Sequence, residues 1–171
     1  MKPTLVSHLD RAVRNLSPFA VCVLLVPLGM VPLPMPGYTP VAPAVVLVAV
    51  YYWSIYRPDL LPAAAVFAIG LLQDLLSGVP LGVNALVLLM VHRVVTSQRR
   101  FLHGKPFLVL WWSFMLVAAG VALMSWALVA LLVGTLIDPH PVIAQYLLTL
   151  ALFPGLTWVL VRAQRAFLKQ A

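Results

Sequence analysis

Residues 70–84 read Gly-Leu-Leu-Gln-Asp-Leu-Leu-Ser-Gly-Val-Pro-Leu-Gly-Val-Asn. Two apolar runs meet there across Ser77-Gly78-Val79-Pro80. Gly78 tolerates φ > 0, and Pro80 fixes φ and suits the first turn of a following helix. The pattern predicts a helical hairpin inside or at the edge of a membrane. It contains Asp74, an acid at transmembrane depth, where a carboxylate costs roughly 2.5–3.5 kcal/mol at a helix centre. About a turn from the helix end that cost falls. Hydrogen bonds from Asp74 to Asn84, or to free backbone N–H groups at the turn, would close the hairpin. Two roles stand open for Asp74: structural closure, and partner binding or coupling. A proton relay needs a series of polar groups across the bilayer, and none is visible in the sequence. Gly78-x-x-x-Gly82 straddles the turn, so it is not a helix-dimerisation face. Gly70, Asp74, Ser77, Gly78, Pro80, Gly82 and Asn84 are therefore the candidate structural or partner-binding residues.

The rest of the chain sets the medium. It is 63% hydrophobic and 9% charged, against the roughly 25% charged residues of soluble domains. With a mean hydropathy of +1.04, its 171 residues read as one membrane domain with little length left for a soluble one. The single cysteine, Cys22, excludes an internal disulfide and lies in an apolar run. A net charge of +7 invites a nucleic-acid reading, but in a membrane protein the position of charge matters more than its sum.

Six spans can be drawn, at about 18–32, 41–56, 60–76, 81–97, 107–135 and 142–162. Residues 1–16 form a basic segment, readable as an interfacial helix or as a solvated flank. No A-x-A-like cleavage site follows the apolar run at 19–31, which argues against a cleaved signal peptide. Ser17-Pro18 reads as an N-cap with Pro at the first helical position, and Pro27 should kink span one. The Pro-rich stretch 32–40 cannot stay helical and belongs outside the hydrocarbon. Span two ends in Tyr51, Tyr52, Trp53 and Tyr56, an aromatic cluster suited to a membrane interface. Arg57-Pro58-Asp59 is a tight turn, with Asp59 a candidate N-cap for span three. A polar linker, 97–106, follows span four. Span five is longer than the ~20 residues a bilayer needs, so it should tilt, bend or project. Residues 163–171 form a basic tail.

Charge placement sets the topology. All eleven Lys and Arg fall before span one, between spans two and three, around the linker between spans four and five, or after span six. These segments share one side of a six-span chain and the opposite loops carry none. By the positive-inside rule both termini are cytoplasmic.

Catalytic signatures are missing. There is no Ser/His/Asp set, H-E-x-x-H, cysteine pair or Gly-rich phosphate loop. Asp138 and His140 can in principle form a metal or catalytic pair, although a Pro-rich outer loop with two incidental polar residues describes them as well. Arg93 can snorkel from the inner end of span four, and His92 beside it reads as interfacial or packed. No cofactor is expected.

The run Phe67-x-x-Gly70-Leu71-Leu72-x-Asp74-Leu75-Leu76-Ser77-Gly78-x-Pro80-Leu81-Gly82-Val83-x-Ala85-Leu86 resembles the central signature of the bacterial rod shape-determining protein MreD family. The aromatic end of span two with Arg57-Pro58, and Phe153-Pro154-x-x-Thr157-Trp158-x-Leu160-x-Arg162-x-x-Arg165-x-Phe167, resemble further parts of it. The resemblance implies an all-α, six-helix, non-catalytic inner-membrane component of the cell-elongation machinery, supporting peptidoglycan synthesis and rod shape. The partners it implies are MreC most directly, with MreB, RodA and a class B penicillin-binding transpeptidase in the same assembly. Membrane lipid is also expected, and nucleic acid is not. The family is distantly similar to six-helix substrate-binding subunits of energy-coupling vitamin transporters. A solute-binding subunit is therefore the alternative, and it would need an outward cavity with several convergent polar groups.

The topology is testable by cysteine accessibility in a Cys22-free background. Met35, Gly78 and Asp138 replaced by cysteine should label from outside, and Arg100 and Leu168 only from inside. Labelling of position 100 from the periplasm contradicts the six-span arrangement.

Overall fold

Val45-Val-Leu-Val-Ala-Val-Tyr-Tyr-Trp-Ser-Ile-Tyr56 has no polar face, and a helix apolar on every side is stable only when enclosed. In the computed structural model, which describes residues 18–31, 42–136 and 138–168, this segment is a helix at the centre of the molecule. The described residues form six α-helices and no strand: α1 (Pro18–Leu28), α2 (Val45–Tyr56), α3 (Ala63–Ser77), α4 (Val83–Leu102), α5 (Phe107–Val133) and α6 (His140–Leu168). All of Val45–Ile55 in α2 are buried. Helices α3 to α6 each pack on the next in chain order, and α2 packs on both α4 and α6. Cys22 and Val26 of α1 join the same core.

Three residues of the aromatic cluster of α2 are core, and Tyr56 packs half-buried against it. Tyr51, Tyr52 and Trp53 are at most 5% exposed. Tyr51 meets Phe114 of α5 edge-on at 5.1 Å between centroids, and Phe114 stacks on Phe153 of α6 at 4.3 Å. This three-ring contact joins α2, α5 and α6. The sequence of α2 alone suits either setting, interface or core, because Tyr and Trp serve as well in a core that satisfies their polar atoms. Here the Tyr51 hydroxyl donates to the Leu110 carbonyl, 3.1 Å away, and the Tyr52 hydroxyl donates to Gln164.

Several boundaries differ from the sequence expectation for local reasons. Helix α1 ends at Leu28, so Pro27 sits in its last turn and does not kink a longer span. Asp59 lies in a short 3-10 turn, Pro58–Leu60, and α3 starts after Pro62 with no side-chain cap. Pro80 stands outside α4, whose first residue is Val83. Most of the expected linker 97–106 is helical, because α4 continues to Leu102, with its terminal Arg99 and Arg100 suited to a helix C-terminus. Helix α6 likewise continues past 162, through the start of the expected tail, and accommodates Pro154 internally. Residues 1–16, Ser17, the Pro-rich stretch 32–40 and 169–171 lie outside the described residues.

Two helices, Phe107–Val133 and His140–Arg165, are long and apolar enough to cross a membrane. At ~1.5 Å per residue, the 27 residues of α5 extend about 40 Å. Its buried residues are Leu110, Phe114 and Ala118, one stripe confined to the N-terminal half. Helices α1, α2 and α3 are apolar but shorter than a crossing.

Candidate functional site

The α3–α4 hairpin is built around backbone contact. Val66, Ile69, Gly70 and Asp74 are the buried positions of α3, spaced so that they share one helical face. An ideal Cβ on Gly70 would lie 2.4 Å from Cα and 2.7 Å from N of Ala85. No side chain fits there, so glycine at 70 sets how closely the start of α4 approaches α3.

One turn beyond Gly70, Asp74 uses that proximity. A helix leaves its first four N–H groups without intrahelical partners. Gly82, at the N-cap position of α4, has no side chain to supply an acceptor. Asp74 supplies it from the neighbouring helix. The Gly82 N–H donates to Oδ2 at 2.9 Å, the Asn84 N–H to Oδ1 at 2.9 Å, and the Ala85 N–H to Oδ2 at 3.4 Å. The carboxyl group is 1% exposed, and the positive end of the α4 dipole favours an acid at that point. The closure expected between Asp74 and the turn is thus made to backbone groups, and it is the Asn84 amide N–H, not its side chain, that takes part.

Ser77, Gly78 and Pro80 sit apart from this contact, in the turn. The Ser77 hydroxyl donates back to the Gln73 carbonyl at 2.7 Å. Gly78 ends α3 with φ 67°, and Gly82 opens α4 with φ 100°. Both lie in the left-handed region that favours glycine, although each has open space where a Cβ would stand. The turn residues therefore set chain direction, while Gly70 and Asp74 set helix separation.

Other polar groups tie helices in pairs. Ser54 Oγ of α2 lies 2.8 Å from His92 Nδ1 of α4, both buried. His92 is thus packed and partnered. Thr149 Oγ1 of α6 accepts from the Ala44 N–H at the head of α2, 3.0 Å away, and Gln145 Nε2 donates to the Ala42 carbonyl at 2.9 Å. Ser54, Gln145 and Thr149 were not among the residues singled out from sequence. The signal for the latter two was their i, i+4 spacing on one face of an apolar helix. Asp138 and His140 pair with each other at 3.1 Å on the exposed start of α6, where Asp138 also accepts the His140 backbone N–H. That arrangement is a helix cap. Among the described residues no group of three or more His, Cys, Asp or Glu side chains is placed to hold a metal.

Beside the hairpin, a cavity of about 570 Å³ opens between the C-terminal part of α3, the start of α4, and facing parts of α1, α2, α5 and α6. Gln73 and Asn84 contribute from the hairpin, and Ser125, Gln145 and Thr149 from the opposite wall.

Replacing Gly70 by alanine should force α3 and α4 apart and destabilise the protein by about 1–3 kcal/mol. Asp74→Ala leaves backbone donors without an acceptor and should cost about 1–3 kcal/mol. Asp74→Asn retains one acceptor oxygen and should lose less. Thermal unfolding in detergent, followed by size-exclusion of the fluorescently tagged protein, checks the order. An Asp74→Ala protein that melts with the wild type contradicts the assigned closure.

The family profile described as rod shape-determining protein MreD matches residues 11–163. Searches of curated proteins and of solved structures returned no match. The matched region contains the whole α3–α4 hairpin with Gly70 and Asp74. The family is membrane-associated and shape-determining, and it is not a known enzyme family. With residues 11–163 of 171 inside the match, the chain belongs to the MreD family and has a role in rod shape determination.

Proposed function

We propose that the protein is a six-span inner-membrane scaffold of the cell-elongation complex, with both termini cytoplasmic, that supports peptidoglycan synthesis by binding MreC. MreB, RodA and a class B penicillin-binding transpeptidase belong to the same assembly in this reading. The observation that carries it is the use made of Asp74. This buried acid accepts from three backbone N–H groups, so its capacity goes into shaping a hairpin and not into turnover.

The outer side of that hairpin is left apolar. Phe67 and Leu75 of α3 are 46% and 63% exposed, and Leu86, Met90 and Val94 form an exposed i, i+4, i+8 stripe on α4. Ala64 and Ala68 lie exposed beside Phe67. Small residues let a second helix approach closely where lipid supplies no hydrophobic drive. The basic asymmetry of the sequence supports the six-span topology. The shortness of α2 is compatible with it, because a helix end enclosed by protein needs no lipid contact. Arg162, stacked over Trp158 at 4.7 Å, suits an interfacial anchor at the cytoplasmic end of α6.

A solute-binding transporter subunit is the competing reading, and the cavity beside Asn84, with several polar side chains in a mainly apolar lining, is the feature that favours it. Photocrosslinkers at Ala64, Ala68 and Gly120, on α3 and α5, decide between the two. Capture of MreC in membranes is the expected result. Robust small-solute uptake with an energising module, together with no MreC crosslink at any position, overturns the scaffold reading.

A further inference from the structure

The cavity beside the hairpin has a lining chemistry that specifies a ligand class. Its volume of about 570 Å³ lies within the ~300–1,000 Å³ range of small-molecule sites. Among the described residues no Lys, Arg, Asp or Glu lines it, although Asp74 is adjacent. Asp74 turns its oxygens to the α4 backbone instead. A charged ligand group would therefore be buried without a counter-charge, which is costly.

Hydrogen-bonding capacity nonetheless remains. Gln145 and Thr149 are engaged with the backbone before α2. Gln73 Oε1 is different: it is buried and has no hydrogen-bond partner among the described residues. A buried acceptor in that state costs about 1–3 kcal/mol, and a turn of the half-buried Gln73 side chain toward the cavity that it lines would bring its amide within reach of a ligand hydroxyl or amide N–H. Most of the remaining wall is aliphatic, including Val26, Val46, Leu76, Val121 and Val129. The wall from α5 starts at Ala118, the last residue of its buried stripe, and continues along the half of the helix beyond it.

We propose that this cavity binds a neutral amphiphile: an aliphatic chain against α5 and α2, and an uncharged hydroxyl- or amide-bearing head at Gln73 and Asn84. The amphiphile enters from the leaflet on the side of the α3–α4 turn. This rests on the membrane placement proposed above.

Trp126 borders the cavity and serves as a reporter. The probe is a dibrominated monoacylglycerol added to the full-length protein in phosphatidylcholine nanodiscs, with bromine quenching of tryptophan as the readout. Saturable quenching is expected, reversed by unlabelled monoacylglycerol and reduced at least fivefold in amplitude by Trp126→Phe. Ala122→Phe and Val129→Phe, which fill the cavity from the same face of α5, should each weaken binding about tenfold. Brominated phosphatidylglycerol should show no saturable component.

Quenching that rises linearly, that unlabelled monoacylglycerol does not reverse, or that persists unchanged in a folded cavity-filled variant overturns the proposal. Equal saturation by the anionic lipid overturns it too. The reversal step uses the wild type alone, so the test holds even if both filled variants fail to fold. Absence of saturable quenching in a protein that still crosslinks MreC overturns this inference and leaves the scaffold reading standing. A protein that does not partition with membranes overturns the placement on which both rest.

Discussion

The first N–H groups of α4 need an acceptor that α4 does not provide, and most of the arrangement follows from how that need is met. Gly82 has no side chain, and the turn before it contributes no side-chain cap, only the Pro80 carbonyl, which accepts the Val83 N–H at 3.3 Å. In water the orphan groups would be hydrated; in a low-dielectric setting each is costly. Asp74 meets the demand from the preceding helix, but only because Gly70 brings the two backbones close enough for it to reach. A buried polar group that would be a liability alone becomes the fastener of a helix pair. Its partner groups are peptide N–H dipoles held in place by the start of α4.

Around this hairpin the bundle is assembled by a second device, the enclosed helix α2. Its apolar surface recruits α4 on one side and α6 on another. Most of its polar side chains are matched individually, Tyr51 to the Leu110 carbonyl, Tyr52 to Gln164 and Ser54 to His92, while Trp53 Nε1 is buried without a partner among the described residues. The Phe114–Phe153 stack against Tyr51 closes that end. Beyond Ala118, α5 contributes no further buried residue, and the cavity occupies the space it leaves beside the hairpin. The same molecule thus combines one tightly fastened corner with one loosely packed side.

The hairpin was legible in sequence because glycine, proline and a lone acid stand out against an apolar background, and their spacing admits few arrangements. The all-helical class followed from the long apolar runs. The role of the aromatic cluster in α2 was not legible, since the same Tyr and Trp residues fit an interface or a core and only tertiary packing decides. Helix ends were misjudged where polar residues continue a helix: Arg99 and Arg100 extend α4 because basic side chains suit a C-terminus. Pro80 was placed in the first turn of α4 by its fixed φ, but Gly82 redirects the chain after it. The ties from Gln145 and Thr149 join residues more than a hundred positions apart, and local pattern carries no information about such contacts.

The central claim is that Asp74 holds the start of α4 through its backbone amides. Residue-resolved amide hydrogen exchange in nanodiscs, comparing the wild type with Asp74→Ala, tests it most directly. The account predicts that protection at Gly82, Asn84 and Ala85 is lost in the variant while amides from Leu88 onward stay protected. Unchanged protection at those three amides would contradict it.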